Sequence, residues 1–382
     1  MASNFPRGIA IAGVGDLDYS ALYRERDVVG ARDPYDLAIQ ATRNALADAG
    51  LAKDAIDGVV CVRDVHYEYF CSKFGLRRPR FVNYLIGEGR QSGLAVQYAA
   101  MAVASKLAET VLVIYSNNGR TRGEDYGSEG QGADPYGLLH GMTSPGAQVA
   151  SMFNRYRHDF GCTPEQLGQV AVSSRHHATL NERAVFRTPL TMDDYLGSRF
   201  ITEPLRLFDY CLINDGAVAL IVTTAERARD LRAPVVELKA TASCGDVGAS
   251  YASDDFFFGA SQSAARDLHE QSGLTPGDVD CVQIYNNFAP AVLFGLEGFG
   301  YCGRGEAGAY AEADGLTLGS SRCPVNTSGA HTSESYMQGF NLHVEAVRQL
   351  RGECGDRQVP DCEVVQYICP SPIVTSHLLA RA

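Results

Sequence analysis

Residues 326–341 read NTSGAHTSESYMQGFN, and the reading of this chain turns on the tyrosine at the eleventh position, Tyr336. His331 and Glu334 lie in the same stretch. A second stretch, residues 280–290, reads DCVQIYNNFAP and carries Tyr285 followed by Asn286 and Asn287. It looks like a strand running into a loop. That strand closes a unit that occurs twice. Residues 268–285, LHEQSGLTPGDVDCVQIY, are a helix end, a glycine cap, a short loop and an apolar strand. Residues 45–62, ALADAGLAKDAIDGVVCV, have the same plan. Gly50-Leu51 matches Gly273-Leu274, and Ile56-Asp57 matches Val279-Asp280, all at the 223-residue distance from Gly50 to Gly273. A helix with a glycine C-cap followed by a buried strand is a unit of layered α/β structure. Two copies predict two similar halves packed together.

Working outward, Ile9 to Gly15 reads as a first strand, and Val111–Tyr115 and Ala217–Val222 as two more. Val235 to Leu238 opens the second half, so the boundary is placed between residues 1–230 and 231–382. From about 117 to 202 the chain turns glycine-rich and then helical, which is too long for a plain linker inside a compact domain. This stretch is read as a domain inserted in the first half.

Composition limits the function. At 382 residues, 45% hydrophobic and 20% charged, the chain matches an ordinary globular protein with a sizeable core. A net charge of −12 speaks against nucleic acid, which demands a basic surface. No stretch approaches the roughly 18 apolar residues of a membrane span, and the N-terminus does not read as a signal peptide. Eleven cysteines without a repeated spacing suit a reducing cytoplasm. No CxxC pair occurs, and His176-His177 has no second ligand pair nearby, so no metal site is expected. Gly13-Val14-Gly15 lacks the third glycine of a dinucleotide loop and reads as a tight turn.

The stretch Asn326-Thr327-Ser328-Gly329, with Gly339 further on, resembles the C-terminal active-site loop of the sterol-carrier-protein type of thiolase. Residues 280–290 resemble a second active-site element of that family, and Pro204 to Cys211 with Asn214-Asp215-Gly216-Ala217 resemble its return segment. The resemblance spans nearly the whole chain. It implies the thiolase fold, five layers (αβαβα) built from two similar halves with an inserted loop domain, and a homodimer formed along a sheet edge. It also marks departures. The family's catalytic histidine falls on Tyr336, and its His-Asp-Cys becomes Tyr285-Asn286-Asn287. The family's nucleophilic cysteine, counted back from Gly93, falls on Arg90. Whatever the register, no cysteine occurs between Cys71 and Cys162. A thioester needs a thiolate nucleophile at neutral pH, and arginine cannot replace it. The family's glycine-rich terminal turn is here Cys369-Pro370-Ser371-Pro372, and Cys369 is read as an ordinary buried cysteine.

A thiolase site without its nucleophile still binds an acyl-CoA and stabilises a thioester enolate. Cleaving the Cα–Cβ bond of a 3-hydroxyacyl-CoA reaches the same enolate with a base, an acid and an oxyanion hole. Tyr285 and Tyr336 are the expected acid and base, with Asn286 and His331 in supporting or oxyanion roles. Tyrosine's reference pKa is about 10, so a nearby cation, Arg90 in this reading, would help to ionise one of them. Cysteine-free members with SESY-like loops resemble the steroid side-chain aldolases of bacterial sterol degradation. That resemblance implies a 17-hydroxy steroid side-chain CoA ester as substrate, and a 17-ketosteroid with propionyl-CoA or acetyl-CoA as products. It implies no cofactor beyond the CoA carried by the substrate, and a small partner protein having an OB fold and a zinc ribbon. Two alternatives stay open: a thiolase or acyltransferase on an unusual acyl-CoA, and a non-catalytic acyl-CoA-binding scaffold.

Overall fold

The computed structural model describes residues 7–25, 28–87, 91–124, 135–247, 253–320 and 323–382. Its strands are β1 (Ile9–Asp16), β2 (Gly58–Arg63), β3 (Phe81–Leu85), β4 (Thr110–Asn118), β5 (Phe200–Thr202), β6 (Leu205–Arg206), β7 (Asp215–Thr224), β8 (Val236–Gly245), β9 (Cys281–Ile284), β10 (Val364–Cys369) and β11 (Ile373–Arg381). All but β5 and β6 form one nine-stranded sheet, in the order β3-β2-β4-β7-β1-β8-β11-β10-β9.

The repeat seen in the sequence is built into this order. In the first half β7 pairs antiparallel with β1 and β4, and β2 runs parallel to β4 and β3. In the second half β11 pairs antiparallel with β8 and β10, and β9 runs parallel to β10. A parallel bridge from Val282 to Val325 stands where β3 stands in the first half. The two half-sheets meet edge to edge through β1 and β8, joined by the pairs Ala10–Glu237 and Ile11–Val236. The helices repeat too. Pro34–Ala49 ends on Gly50 at φ 71° and Phe258–Ser272 on Gly273 at φ 73°, the left-handed conformation in which glycine avoids the Cβ penalty.

Five layers result from the surface each helix buries. The Pro34–Ala49 helix lays Leu37, Ala41, Ala45 and Leu46 on Leu112, Ile114 and Ile221 of the first half-sheet. Between the half-sheets lie the Gln91–Ala104 and Phe340–Arg351 helices, whose Val96, Ala99, Val103, Val344 and Val347 meet Val60, Val113 and Leu220 from one side. Leu238, Val365 and Leu379 close on them from the other. The Phe258–Ser272 and Pro290–Gly298 helices cover the far face through Ala264, Leu268, Val292 and Leu296. The central layer demands small residues, and the first of its helices is rich in alanine. A Cβ on Gly93 would strike the Thr375 side chain. Phe340 of the second half stacks on Tyr115 of the first at 5.3 Å. Burying one such ring contributes about 2 kcal/mol.

β4 runs to Asn118, so the chain leaves the sheet after that residue and returns at β7. In between, the Pro145–Phe160 and Pro164–Thr179 helices each start on a capping Ser144 or Thr163 with proline at the first helical position. This segment packs over the 326–341 loop. The Val185 and Phe186 amides donate to the Glu334 and Ser333 carbonyls at 3.0 Å. All eleven cysteines are free thiols. Among the described residues no helix is long and apolar enough to cross a membrane.

Candidate active site

β9 and β10 are parallel, and the site forms just beyond their C-terminal ends. The Tyr285 amide donates to the Ile368 carbonyl at 2.8 Å, which carries the pairing one residue past β9. Tyr285 is thus held by the sheet rather than by a free loop. The 326–341 stretch is anchored to the same strand. Asn326 accepts from the Ile284 amide at 2.7 Å through its side chain and donates to the Val282 carbonyl at 2.9 Å through its own amide. Backbone anomalies then bend the chain sharply. Asn326, Gly329 and Ala330 all have positive φ, and residues 330–334 wind as a single π-turn. Such geometry is sustained only where neighbours over-determine it, and it concentrates at functional sites. Here Ala178 and Ser174 of the covering segment stand against Gly329. His177, through Nδ1, donates to the Asn326 carbonyl at 3.1 Å.

The turn delivers Tyr336 to Tyr285. Their hydroxyl oxygens lie 2.8 Å apart, a hydrogen bond in which either can be donor. Both side chains are buried, Tyr285 at 1% and Tyr336 at 6% exposure. The Tyr336 amide donates to Asn214 Oδ1 at 2.8 Å, so the return segment before β7 fixes that residue's backbone. His331 packs T-shaped against both rings, with centroids 4.7 Å from Tyr285 and 5.2 Å from Tyr336. Asn286 and His331 are cross-linked: the His331 amide donates to Asn286 Oδ1 at 3.0 Å, and the Asn286 amide points at His331 Nδ1 at 3.3 Å. The Gly339 amide approaches Nε2 at 3.1 Å. A neutral imidazole has one lone pair, so one of these two approaches is a full hydrogen bond. Burial drives His331 down to about 3, so the ring is neutral at physiological pH. It packs and orients. It carries no charge into the site.

Asn286 Nδ2 is buried and has no acceptor among the described residues. A buried amide donor without an acceptor is costly unless something else accepts from it, and an enolate or thioester oxygen would. Gly339 has to be glycine. Its φ is 89°, and a Cβ there would lie 2.5 Å from Ser92 Oγ, 2.7 Å from the Tyr367 hydroxyl and 3.1 Å from the Tyr285 ring. Cys369, read from sequence as an ordinary buried cysteine, is buried and packs in one cluster with Tyr285, Tyr336 and Tyr367. Glu334, two residues before Tyr336, is buried, and burial with the charge of Glu345 raises its carboxyl to about 7.

Of the residues singled out in the sequence, the structure brings together Tyr285, Tyr336, Asn286 and His331. Arg90 lies outside the described residues. A cation whose charge acts on Tyr336 is Arg63, at the C-terminal end of β2. Its backbone is strained at φ 59°, its carbonyl accepts from the Tyr84 hydroxyl, and its guanidinium pairs with Glu124 at 2.9 Å. The signal for it lies in the repeat, because Arg63 is the mate of Asn286 at the same 223-residue offset.

Known proteins resemble this chain in sequence and fold. Residues 245–368 match the family of thiolase C-terminal domain-like sequences. The chain is 37% identical over 362 residues to the 17-hydroxy-3-oxo-4-pregnene-20-carboxyl-CoA lyase of Mycobacterium tuberculosis, covering 90% of this chain and 91% of the relative. It is 36% identical over 369 residues to the steroid side-chain-cleaving aldolase of Thermomonospora curvata, covering 92% of each. The fold superposes on the solved Ltp2-ChsH2(DUF35) aldolase with a TM-score of 0.90 at 33% identity, over 99% of both chains.

Proposed function

The chain belongs to the steroid side-chain-cleaving aldolases, a branch with the thiolase fold, and from that premise we propose how its own residues cleave a carbon–carbon bond. It is a retro-aldolase acting on a 3-hydroxyacyl-CoA, a 17-hydroxy steroid carrying its side chain as a CoA ester. One tyrosine, ionised, takes the substrate's hydroxyl proton. The electrons of that O–H bond form the carbonyl, the Cα–Cβ bond breaks, and its pair becomes the thioester enolate. The other tyrosine then protonates Cα. The products are a 17-ketosteroid and propionyl-CoA or acetyl-CoA.

The observation that carries this reading is the 2.8 Å contact between the Tyr285 and Tyr336 hydroxyls. The reaction moves one proton from oxygen to carbon within a single substrate. Two bonded phenols can pass it on with no net gain or loss. Tyrosine also suits the task because its reference pKa of about 10 lies nearer to an alcohol and an enolate than imidazole's does. Asn286 Nδ2 is the oxyanion donor in this scheme, and one such donor lowers a barrier by about 3 kcal/mol. CoA enters as part of the substrate, and the chemistry calls for no further cofactor.

The surrounding assignments rest on the same reading. Residues 1–230 and 231–382 form the two halves, and two copies of the chain pair along a sheet edge. A small OB-fold, zinc-ribbon protein completes the enzyme, a proposal supported by the solved Ltp2-ChsH2(DUF35) aldolase. The acidic chain with its free thiols fits the cytoplasm, away from nucleic acid and membrane. Incubation with a tertiary 3-hydroxyacyl-CoA and mass spectrometry tests the reaction. Ketone with a shortened acyl-CoA is expected, whereas retention without turnover would make the chain a scaffold. Iodoacetamide should leave cleavage intact, because no cysteine lies at the nucleophile position. Stoichiometric inactivation that substrate prevents would revive an acyltransferase mechanism.

A further inference from the structure

Glu334 is a carboxyl buried against three hydrogen-bond donors from three parts of the chain. Asn181 Nδ2, from the covering segment, donates to Oε1 at 3.1 Å. Ser328 Oγ, from the start of the loop, donates to Oε2 at 2.7 Å. Asn341 Nδ2, from the first turn of the Phe340–Arg351 helix, donates to Oε2 at 2.7 Å. The Ser328 bond ties the residues before the π-turn to its last residue, side chain to side chain. The Asn341 bond does more. The same amide nitrogen also donates to the Ser335 carbonyl at 3.1 Å, so both of its hydrogens are used. One grips the carboxyl, and the other grips the peptide that leads into Tyr336.

A buried carboxyl without a cation paired to it is expensive, and among the described residues Glu334 forms no ion pair. Arg357, whose charge reaches it, is engaged by Glu345 at 3.1 Å. An amide at this position could not accept from all three donors, because its nitrogen would face a donor. A shorter acid could not span them. Donor set, burial and connection to residue 336 all point to one task.

We propose that Glu334 is a positioning residue for Tyr336: its carboxyl orients the Asn341 amide, which fixes the Ser335 peptide and thereby holds the Tyr336 hydroxyl against Tyr285. This inference rests on the tyrosine mechanism above. Glu334 does not touch the substrate. Its effect appears in the geometry of the proton path, where a 1 Å misplacement can cost on the order of 10²-fold.

The test is a double-mutant cycle on cleavage of the 3-hydroxyacyl-CoA, with the protein in its complete assembly. Glu334→Gln alone should lower kcat by about 10²-fold and leave KM within about threefold, since it disturbs alignment and not binding. In a Tyr336→Phe background the same change should add less than about twofold, because the group it positions is already gone. Multiplicative losses would overturn the positioning role while leaving the tyrosines in place. A Tyr336→Phe variant with parental turnover would remove the tyrosine mechanism, and the Glu334 assignment with it. Should Glu334→Gln fail to fold, Asn341→Ala cuts the same link from the other side. It should reproduce the loss in kcat, and parental kcat in that variant would overturn the proposal.

Discussion

At the same place in the repeat, β2 of the first half ends on Val62 and Arg63, and β9 of the second leads into Tyr285 and Asn286. The backbones around these pairs are alike, with a parallel neighbour on the inner side and a return strand beyond it. The side chains are not. Val62 is fully buried packing, whereas Tyr285 ends in a hydroxyl bonded to a second tyrosine. The first half keeps the frame and the second half carries the chemistry. The site nonetheless draws on both, since the charge of Arg63 in the first half acts on Tyr336 in the second.

The contrast breaks hardest at the turn into each central helix. In the second half that turn is Gly339, closed in by Ser92, Tyr367 and the Tyr285 ring. Gly339→Ala is expected to lower kcat by more than about 10²-fold, because the strained φ and the new Cβ push Tyr285 away from Tyr336. Steady-state kinetics on folded protein checks this, and a turnover near the parent's would show that the site tolerates looser packing.

The halves also differ in buried titration. His331, His343 and His377 lie in the second half and are held below the ordinary histidine range by burial, as is His177 of the covering segment. Each stays neutral in the fold and takes a proton on unfolding below about pH 6.5. Asp209 and Glu334, both raised to about 7, act in the opposite sense, because the fold holds their protons when the unfolded chain would not. Four histidines against two acids leave a net uptake of about two protons on unfolding near pH 5.5. Stability should therefore fall as pH drops from about 6.5 towards 5. Denaturant titrations across that range read the slope, and His343→Phe should reduce it by about one proton. A slope of the opposite sign would mean that the buried acids dominate.

The smallest effects should come where the halves agree. Gly50 and Gly273 cap equivalent helices in the left-handed conformation. Replacing either with alanine should cost about 1 kcal/mol and leave turnover unchanged. Gly50→Ala should be the worse, because its Cβ would lie 3.0 Å from Arg232 Cβ whereas Gly273 faces open space. Thermal melts compare the two.

The sequence displays the features that repeat or that sit in contiguous stretches. The 223-residue offset discloses the two halves, and the two tyrosines stand out because each lies in a compact loop. Glu334 is visible in the loop beside His331, but Asn214 and Asn181 do not stand out as supports. Tyr336 is bonded to Asn214 across 122 positions, and the loop is bound to Asn181 across 153. Contacts of that span leave no local period or spacing to read. Arg63 is hidden for a different reason: the repeat points to strands, and only a comparison of the side chains at their ends exposes the arginine. Cys369 shows the limit of reading by residue type, since burial alone does not say that it packs beside the tyrosines.

The central claim is that the bonded tyrosine pair carries the proton from oxygen to carbon. Tyr285→Phe and Tyr336→Phe each remove one oxygen and leave the ring in its packing. The decisive measurement is single-turnover release of ketone from a tertiary 3-hydroxyacyl-CoA by each variant, with folding confirmed by its melt. A loss of about 10²- to 10⁴-fold in both is predicted. Release within a factor of a few of the parent in either would contradict the mechanism.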